Sequence, residues 1–345
     1  MSYSISQVQP TDRSAFAEML ALLKEQGIRL DPNVDYSCVI YDDDYNVAAT
    51  GSCSGNTLRC IAVSPKHNGE GLTNTLITHL LEKQFERGNM HVFLYTKPSS
   101  AVFFGDLGFY EIVRQENIVF MENKRTGFSQ YLKNLAETAV PGKSAAIVMN
   151  ANPFTLGHQY LVETAARENE CLHLFIVSEE KSPIPFAVRK RLVMEGTKHL
   201  NNIIYHDSGS YIISSATFPS YFQKDEEAVN RSHALVDVSV FAKIAEAMNI
   251  TARYAGEEPR SVVTRIYNQT MMEELPKHGI RCIVIPRKQY GDELISASTV
   301  RTLIKSGRFD VLRHYLPETT LSYFMSKEAE PVINGICAME DTVHY

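Results

Sequence analysis

The sequence predicts an α/β protein of two domains, an α+β domain followed by a parallel sheet wrapped by helices. Three observations carry that prediction. From residue 145 onward short apolar runs alternate with amphipathic stretches, as strands joined by helical crossovers do. Before about residue 125 four apolar runs are separated by helical patterns, as in an α+β sheet. The length of 345 residues accommodates two separate cores at roughly 150 residues per domain.

In the first region the runs Ser37 to Tyr41, Thr57 to Val63, His91 to Thr96 and Ile118 to Met121 read as strands. Leu72, Leu76, Leu80 and Leu81 share one helical face within Leu72 to Phe85, which opens from the turn Lys66-His67-Asn68-Gly69-Glu70-Gly71. A basic, amphipathic stretch from Lys124 to Lys143 ends at Pro141-Gly142, and the domain boundary is placed there. The domains expected are therefore 1–130 and 144–345, joined by a linker over 131–143. In the second, Ala145 to Met149 reads as a buried strand, Asn150 to Gly157 as a loop, and His158 to Asn169 as a helix with Leu161, Val162, Ala165 and Ala166 on its buried face. Leu172 to Val177 is the next strand. The alternation continues with helices at Arg189 to His199 and Val238 to Met248, strands at Ile203 to His206, Ala252 to Gly256 and Arg281 to Pro286, and a helix from about Ser298. Ligands of such a sheet bind beyond the carboxyl ends of its strands.

Hydrophobic residues at 44% and charged residues at 21% exclude a disordered, collagenous or coiled-coil chain. A net charge of −6 offers no general attraction to nucleic acid or to an anionic membrane. The cysteines at 38, 53, 60, 171, 282 and 337 form no C-x-x-C pair, so no structural zinc is expected. No basic-then-apolar leader opens the chain, and no run reaches the roughly 18 apolar residues of a membrane span. The expectation is a cytoplasmic protein with reduced thiols. Gly142-Lys143-Ser144 resembles the end of a phosphate-binding Walker loop, but its first glycine is missing and a strand follows it instead of preceding it.

Two strings carry chemistry. Asn152-Pro153-Phe154-Thr155-Leu156-Gly157-His158 joins a buried strand to a helix and contains T-x-G-H. Such a turn aims backbone N–H groups and a helix dipole at an anion, its glycine permits close approach, and its histidine adds a donor. Ile295-Ser296-Ala297-Ser298-Thr299-Val300-Arg301 opens a second helix, with Ser296 as its cap and Arg301 a turn inside. A guanidinium and a helix start together suit phosphates. The bland reading of each string is an ordinary helix cap.

T-x-G-H after the first strand, with I-S-x-S-x-x-R near the end, resembles the nucleotidyltransferase superfamily, phosphopantetheine adenylyltransferase in particular, and implies a Rossmann-like fold for this domain. Ser64 to Leu72 (S-P-K-H-N-G-E-G-L) and Gly105 to Glu111 (G-D-L-G-F-Y-E) resemble a GNAT acetyltransferase. With G-F-S-Q-Y-L and the stretch Ser208 to Phe222, nearly the whole chain is similar to the citrate lyase ligase family.

The resemblance implies a ligase that activates acetate with ATP and Mg²⁺ as acetyl-AMP. It then acetylates the phosphoribosyl-dephospho-CoA thiol on the acyl carrier (γ) subunit of citrate lyase. Thr155, His158 and Lys181 carry catalysis in that reading, with Lys181 one position off the adenylyltransferase lysine when Phe186 is aligned. Asn152, Phe154, Thr155, Gly157, His158, Arg191, Gly256, Ser296, Ser298 and Arg301 bind nucleotide. Tyr267 and Asn268 are nominated for the base or the carrier arm, and Ser208 to Phe222 for the acyl channel. Asn68, Gly69, Gly71 and Thr73 take the CoA-type arm, and no metal is held by protein ligands alone. Two alternatives stay open: an adenylyltransferase joining AMP to a phosphopantetheine or nicotinamide mononucleotide, and an acetyl-CoA-dependent acetyltransferase.

Overall fold

A computed structural model describes residues 3–179, 182–212, 226–257 and 262–339. The chain divides into two compact units, Met1–Gln130 with Thr217–Ser232, and Tyr131–Ala216 with His233–Tyr345.

The first unit runs β1 (Ser4–Gln7), α1 (Arg13–Glu25), β2 (Tyr36–Tyr41), β3 (Val47–Ser54), β4 (Thr57–Val63), α2 (Leu72–Glu86), β5 (Phe93–Thr96), α3 (Pro98–Asp106), β6 (Tyr110–Arg114) and β7 (Val119–Glu122). Its seven strands form one sheet in the order β1-β2-β3-β4-β5-β7-β6. Asp12 caps α1 by accepting from the Ala15 N–H at 3.2 Å. Met19, Leu22 and Leu23 of α1 pack on one face with Val39 and Ala62. Leu72, Leu76, Ile77 and Leu80 of α2 pack on the other with Cys38 and Leu94. The step from β4 to β5 is parallel and spans only Thr57↔Phe93 and Leu58↔Leu94, whereas β4 runs on to Val63. The two strands therefore part beyond Leu58. This is the expected α+β arrangement.

Helix α4 (Gly127–Ala136) contains the point where the two units divide. The second unit then runs β8 (Ser144–Met149), α5 (Leu156–Glu168), β9 (Cys171–Ile176), α6 (Phe186–Gly196), β10 (Ile203–Asp207), α7 (Glu226–Met248, of which the residues from His233 onward belong to this unit), β11 (Ile250–Gly256), α8 (Val262–Glu274) and β12 (Arg281–Ile285). A hairpin of β13 (Gln289–Tyr290) and β14 (Glu293–Leu294) follows, then α9 (Ala297–Lys305), α10 (Glu318–Phe324) and α11 (Glu330–Ala338). The five strands β10-β9-β8-β11-β12 are all parallel, the Rossmann-like arrangement expected. Burial on both faces explains the unbroken apolar runs. Leu172, Leu174 and Ile176 enter a core with Leu161, Val162, Leu192 and Val300, while the alternating His173 and Phe175 are equally buried. His173 Nδ1 lies 3.0 Å from His206 Nε2, and burial pushes both imidazolium pKa values down to about 4.

Helix starts differ from expectation by two to twelve residues. Thr155, not Gly157, is the last residue before α5, because its side chain caps the helix. Helix α6 begins at Phe186 after Pro185, since proline favours the position where no donor is lost. Helix α7 begins twelve positions before the expected Val238. No described helix is long and apolar enough to cross a membrane.

Candidate active site

The parallel strands deliver all their carboxyl ends to one edge, where the turns after β8, β9, β11 and β12 lie. In the turn after β8, Ala151 has φ +52° and the Asn152–Pro153 peptide is cis. A left-handed alanine costs about 1 kcal/mol or more, so neighbouring contacts must impose it. Phe154 is fully buried and stacks on the His158 ring at 5.9 Å.

Thr155 and His158 form a reciprocal cap. His158 N–H donates to Thr155 Oγ1 at 3.3 Å, and Thr155 N–H donates to His158 Nδ1 at 3.1 Å. Because Nδ1 accepts from a backbone N–H, it carries no proton, and the neutral ring holds its proton on Nε2. Burial first, and the positive charge of Arg287 second, push the imidazolium pKa down to about 3. His158 is thus a neutral donor at physiological pH.

The start of α9 meets this turn. A Cβ on residue 157 would lie 3.0 Å from the Ile295 carbonyl oxygen, so any larger residue would push the two backbones apart by a few tenths of an ångström. Arg301 Nη1 donates to the Asn152 carbonyl at 2.6 Å, and Leu156 N–H donates to Tyr315 O at 2.9 Å. Ser296 caps α9 by accepting from Thr299 N–H at 3.0 Å and lies 2.8 Å from the Ser298 hydroxyl. His158, Gly157, Asn152, Ser296, Ser298 and Arg301 therefore gather around two adjoining helix starts.

Other expected residues are placed differently. Phe154 has no exposed surface to offer a nucleotide and supports the His158 ring from within. Thr155, 1% exposed, spends its hydroxyl on His158. Arg191 does not reach the turn: it pairs with Glu328 at 2.7 Å and lies over the Tyr323 ring. The arginine of α6 directed at the strand ends is Arg189, fully buried. Its guanidinium donates to the carbonyls of Asn150 and Val177 at 2.8 Å each, of Ile184 at 3.1 Å and of Glu179 at 2.5 Å. It was missed because its signal, one arginine in a basic helix, does not distinguish it from Lys190 or Arg191. Lys181 and most of Ser208 to Phe222 lie outside the described residues. Near Gly256, Asn268 Nδ2 donates to the Gly256 carbonyl at 3.0 Å and a Cβ there would meet nothing within 4 Å. Tyr267 points elsewhere, bonding the buried Asp237 and Arg253.

Buried side-chain oxygens of Asn150, Asn152 and Glu179 have no donor among the described residues. Such atoms at strand ends await a partner. Among the described residues no group of three or more His, Cys, Asp or Glu could hold a metal.

In the first unit, Gly71 caps α2 with φ +75° and no side-chain bond, so no cap side chain satisfies the first N–H groups of that helix. His67 pins the preceding loop, 3.0 Å from Glu70 and 3.4 Å from Asp42, and Tyr3 bonds Glu70. Asn68, Gly69, Gly71 and Thr73 lie along this one turn.

The second unit is a Rossmann-like parallel sheet wrapped by helices, preceded by an α+β unit. The family model described as the citrate lyase ligase C-terminal domain matches residues 144–324. The [citrate [pro-3S]-lyase] ligases of Haemophilus influenzae and Klebsiella pneumoniae are 36% and 37% identical to this chain, covering 91% and 88% of it and 96% and 90% of their own lengths. That of Escherichia coli is 35% identical, over 93% of each chain. The chain belongs to the citrate lyase ligase family and is an enzyme of the ligase class. Similar solved structures include a GNAT-family acetyltransferase from Staphylococcus aureus, 14% identical with TM-score 0.30, and Escherichia coli ElaA, 15% identical with TM-score 0.31. Each match covers 36% of this chain and 100% of the other.

Proposed function

We propose that this enzyme activates citrate lyase by acetylating, with ATP and acetate, the thiol of the phosphoribosyl-dephospho-CoA group on the lyase's acyl carrier subunit. An acetate oxygen bonds to the α-phosphorus of ATP, the bond from that phosphorus to the bridging oxygen breaks, and pyrophosphate leaves acetyl-AMP behind. The carrier thiol then takes the acetyl group, giving its proton to solvent, and AMP departs. Neither step needs a covalent protein nucleophile, so the protein's task is positioning and electrostatics.

The observation that best supports this reading is the meeting of the α5 and α9 starts, with Gly157 against Ile295 O and Arg301 on Asn152 O. It gathers a neutral Nε2–H, two helix N-termini and a guanidinium, which together suit a phosphate chain. In this reading His158 donates to the oxygen that gains charge as the α-phosphorus is attacked, and Thr155 holds its ring. Ser296, Ser298 and Arg301 bear on the departing pyrophosphate, Lys181 adds a second cation, and Gly256 with Asn268 borders the nucleoside. The donor-less oxygens of Asn150, Asn152 and Glu179 fit Mg²⁺ or its waters, being hard ligands. Bound with the phosphates, Mg²⁺ neutralises charge on them. Residues 1–130 dock the CoA-type arm through Asn68, Gly69, Gly71 and Thr73 without catalysing transfer, 131–143 join the domains, and 144–345 carry the chemistry in the cytoplasm.

The test is to incubate the enzyme with ATP, Mg²⁺, radiolabelled acetate and deacetylated citrate lyase. Label should enter the carrier subunit, and acetate should be required for ATP–pyrophosphate exchange. Exchange that proceeds without acetate, or a carrier that stays unlabelled, overturns the proposal.

A further inference from the structure

We propose that Arg287 is a further catalytic residue, a guanidinium that contacts the nucleotide's phosphates beside His158. The inference rests on the adenylating reading given above. Arg287 stands two residues beyond β12, at the edge of the sheet where ligands of this fold bind. Its Nε donates to the Glu257 carbonyl at 2.5 Å, and Glu257 N–H donates back to Ile285 O at 2.8 Å. These bonds lace the ends of β11 and β12 together and fix the guanidinium between them. On its other side the next residue, Lys288, accepts from Ile295 N–H at 3.0 Å, and Ile295 O is the atom pressed on Gly157. Arg287 thus lies between the Gly256 turn and the His158 turn, half-buried at the junction.

The chemistry asks for a cation there. His158 is neutral and supplies a hydrogen bond but no net charge, while the phosphorus under attack spreads negative charge over its oxygens. A permanent guanidinium supplies positive charge there and, by its field, adds to the burial that keeps the neighbouring imidazole unprotonated. Arg287 was invisible in the sequence because it falls in neither recognisable string. Only its place after the last strand distinguishes it.

The experiment compares Arg287→Gln, which keeps a donor for Glu257 O, with Arg287→Lys, in the full chain, by acetate-dependent ATP–pyrophosphate exchange. Arg287→Gln should lower kcat/KM by about 100-fold or more, the scale of one lost transition-state contact. Arg287→Lys should recover part of it, and both ligand-free proteins should melt near the parent. A Gln variant within threefold of the parent in kcat and KM overturns the proposal. Should the parent show no acetate-dependent exchange, the adenylating reading itself has failed. Arg287 is then judged by the rise in melting temperature that ATP alone confers: lost in the Gln variant, it supports the phosphate contact, and retained, it removes it.

Discussion

Arg301 Nη1 donates to the Asn152 carbonyl at 2.6 Å across 149 positions of sequence, binding the helix start near the end of the chain to the turn after the first strand of its sheet. The partly buried guanidinium both holds that turn and brings its charge to it. Arg301→Ala is expected to leave the carbonyl without this donor, at about 1–3 kcal/mol in stability. It should also raise the KM for ATP about tenfold or more in acetate-dependent exchange. An unchanged KM in a folded variant would separate Arg301 from nucleotide binding.

His158 should act as a donor and never as a base. His158→Ala is expected to lower acetylation of the carrier by about 100-fold or more. Since its imidazolium pKa is pushed down to about 3, the neutral form persists throughout the physiological range. The pH profile of kcat should accordingly show no limb from His158 between pH 5 and 8. A limb near pH 6.5 that disappears in His158→Asn would mean the ring ionises in the working enzyme.

Gly157→Ala puts a methyl group 3.0 Å from the Ile295 carbonyl oxygen, and backbone sits on both sides of that contact. The α9 start must move outward. Exchange activity should fall at least tenfold, the sensitivity expected of a displaced reacting group, while the melting temperature drops by only a few degrees. Full activity in the alanine variant would mean that the two helix starts do not need their close approach.

Acid should destabilise the second unit through His173 and His206. Both are neutral in the fold with pKa values near 4, whereas an unfolded histidine takes its proton near 6.5. Below pH 6.5 the unfolded chain binds more protons, so stability that is complete above 6.5 is lost progressively toward pH 4. At pH 5 the loss is on the order of 2 kcal/mol per histidine. Urea midpoints measured from pH 7.5 to 5 should fall, and His206→Gln should flatten the slope. A midpoint independent of pH would rule out the buried neutral pair.

Much of this was legible before the fold was known. The strands of the second unit stand out because burial on both faces makes them apolar without interruption, and both helix caps are spelled in side chains. The edges were harder. Strand β3 reads Val-Ala-Ala-Thr-Gly-Ser-Cys-Ser, residues too small and polar to announce a strand, yet it is buried from Ala48 to Ser54. Arg189 and Arg287 went unread for a related reason: their roles depend on which carbonyls surround them, and local sequence does not encode that. Conversely, Arg191 satisfied the pattern, but the turn of α6 faces it toward Glu328.

All five strands of the second sheet end by Ile285, whereas Ile295, Ser296 and Arg301 come afterwards. A polypeptide leaving the ribosome therefore releases every strand of that sheet before Val300, Leu303 and Phe324, which complete its core, have emerged. A cut in the hairpin that precedes α9 would strip that core of Val300, Leu303 and Phe324 at the same time as it removes Ser296 and Arg301 from the proposed site.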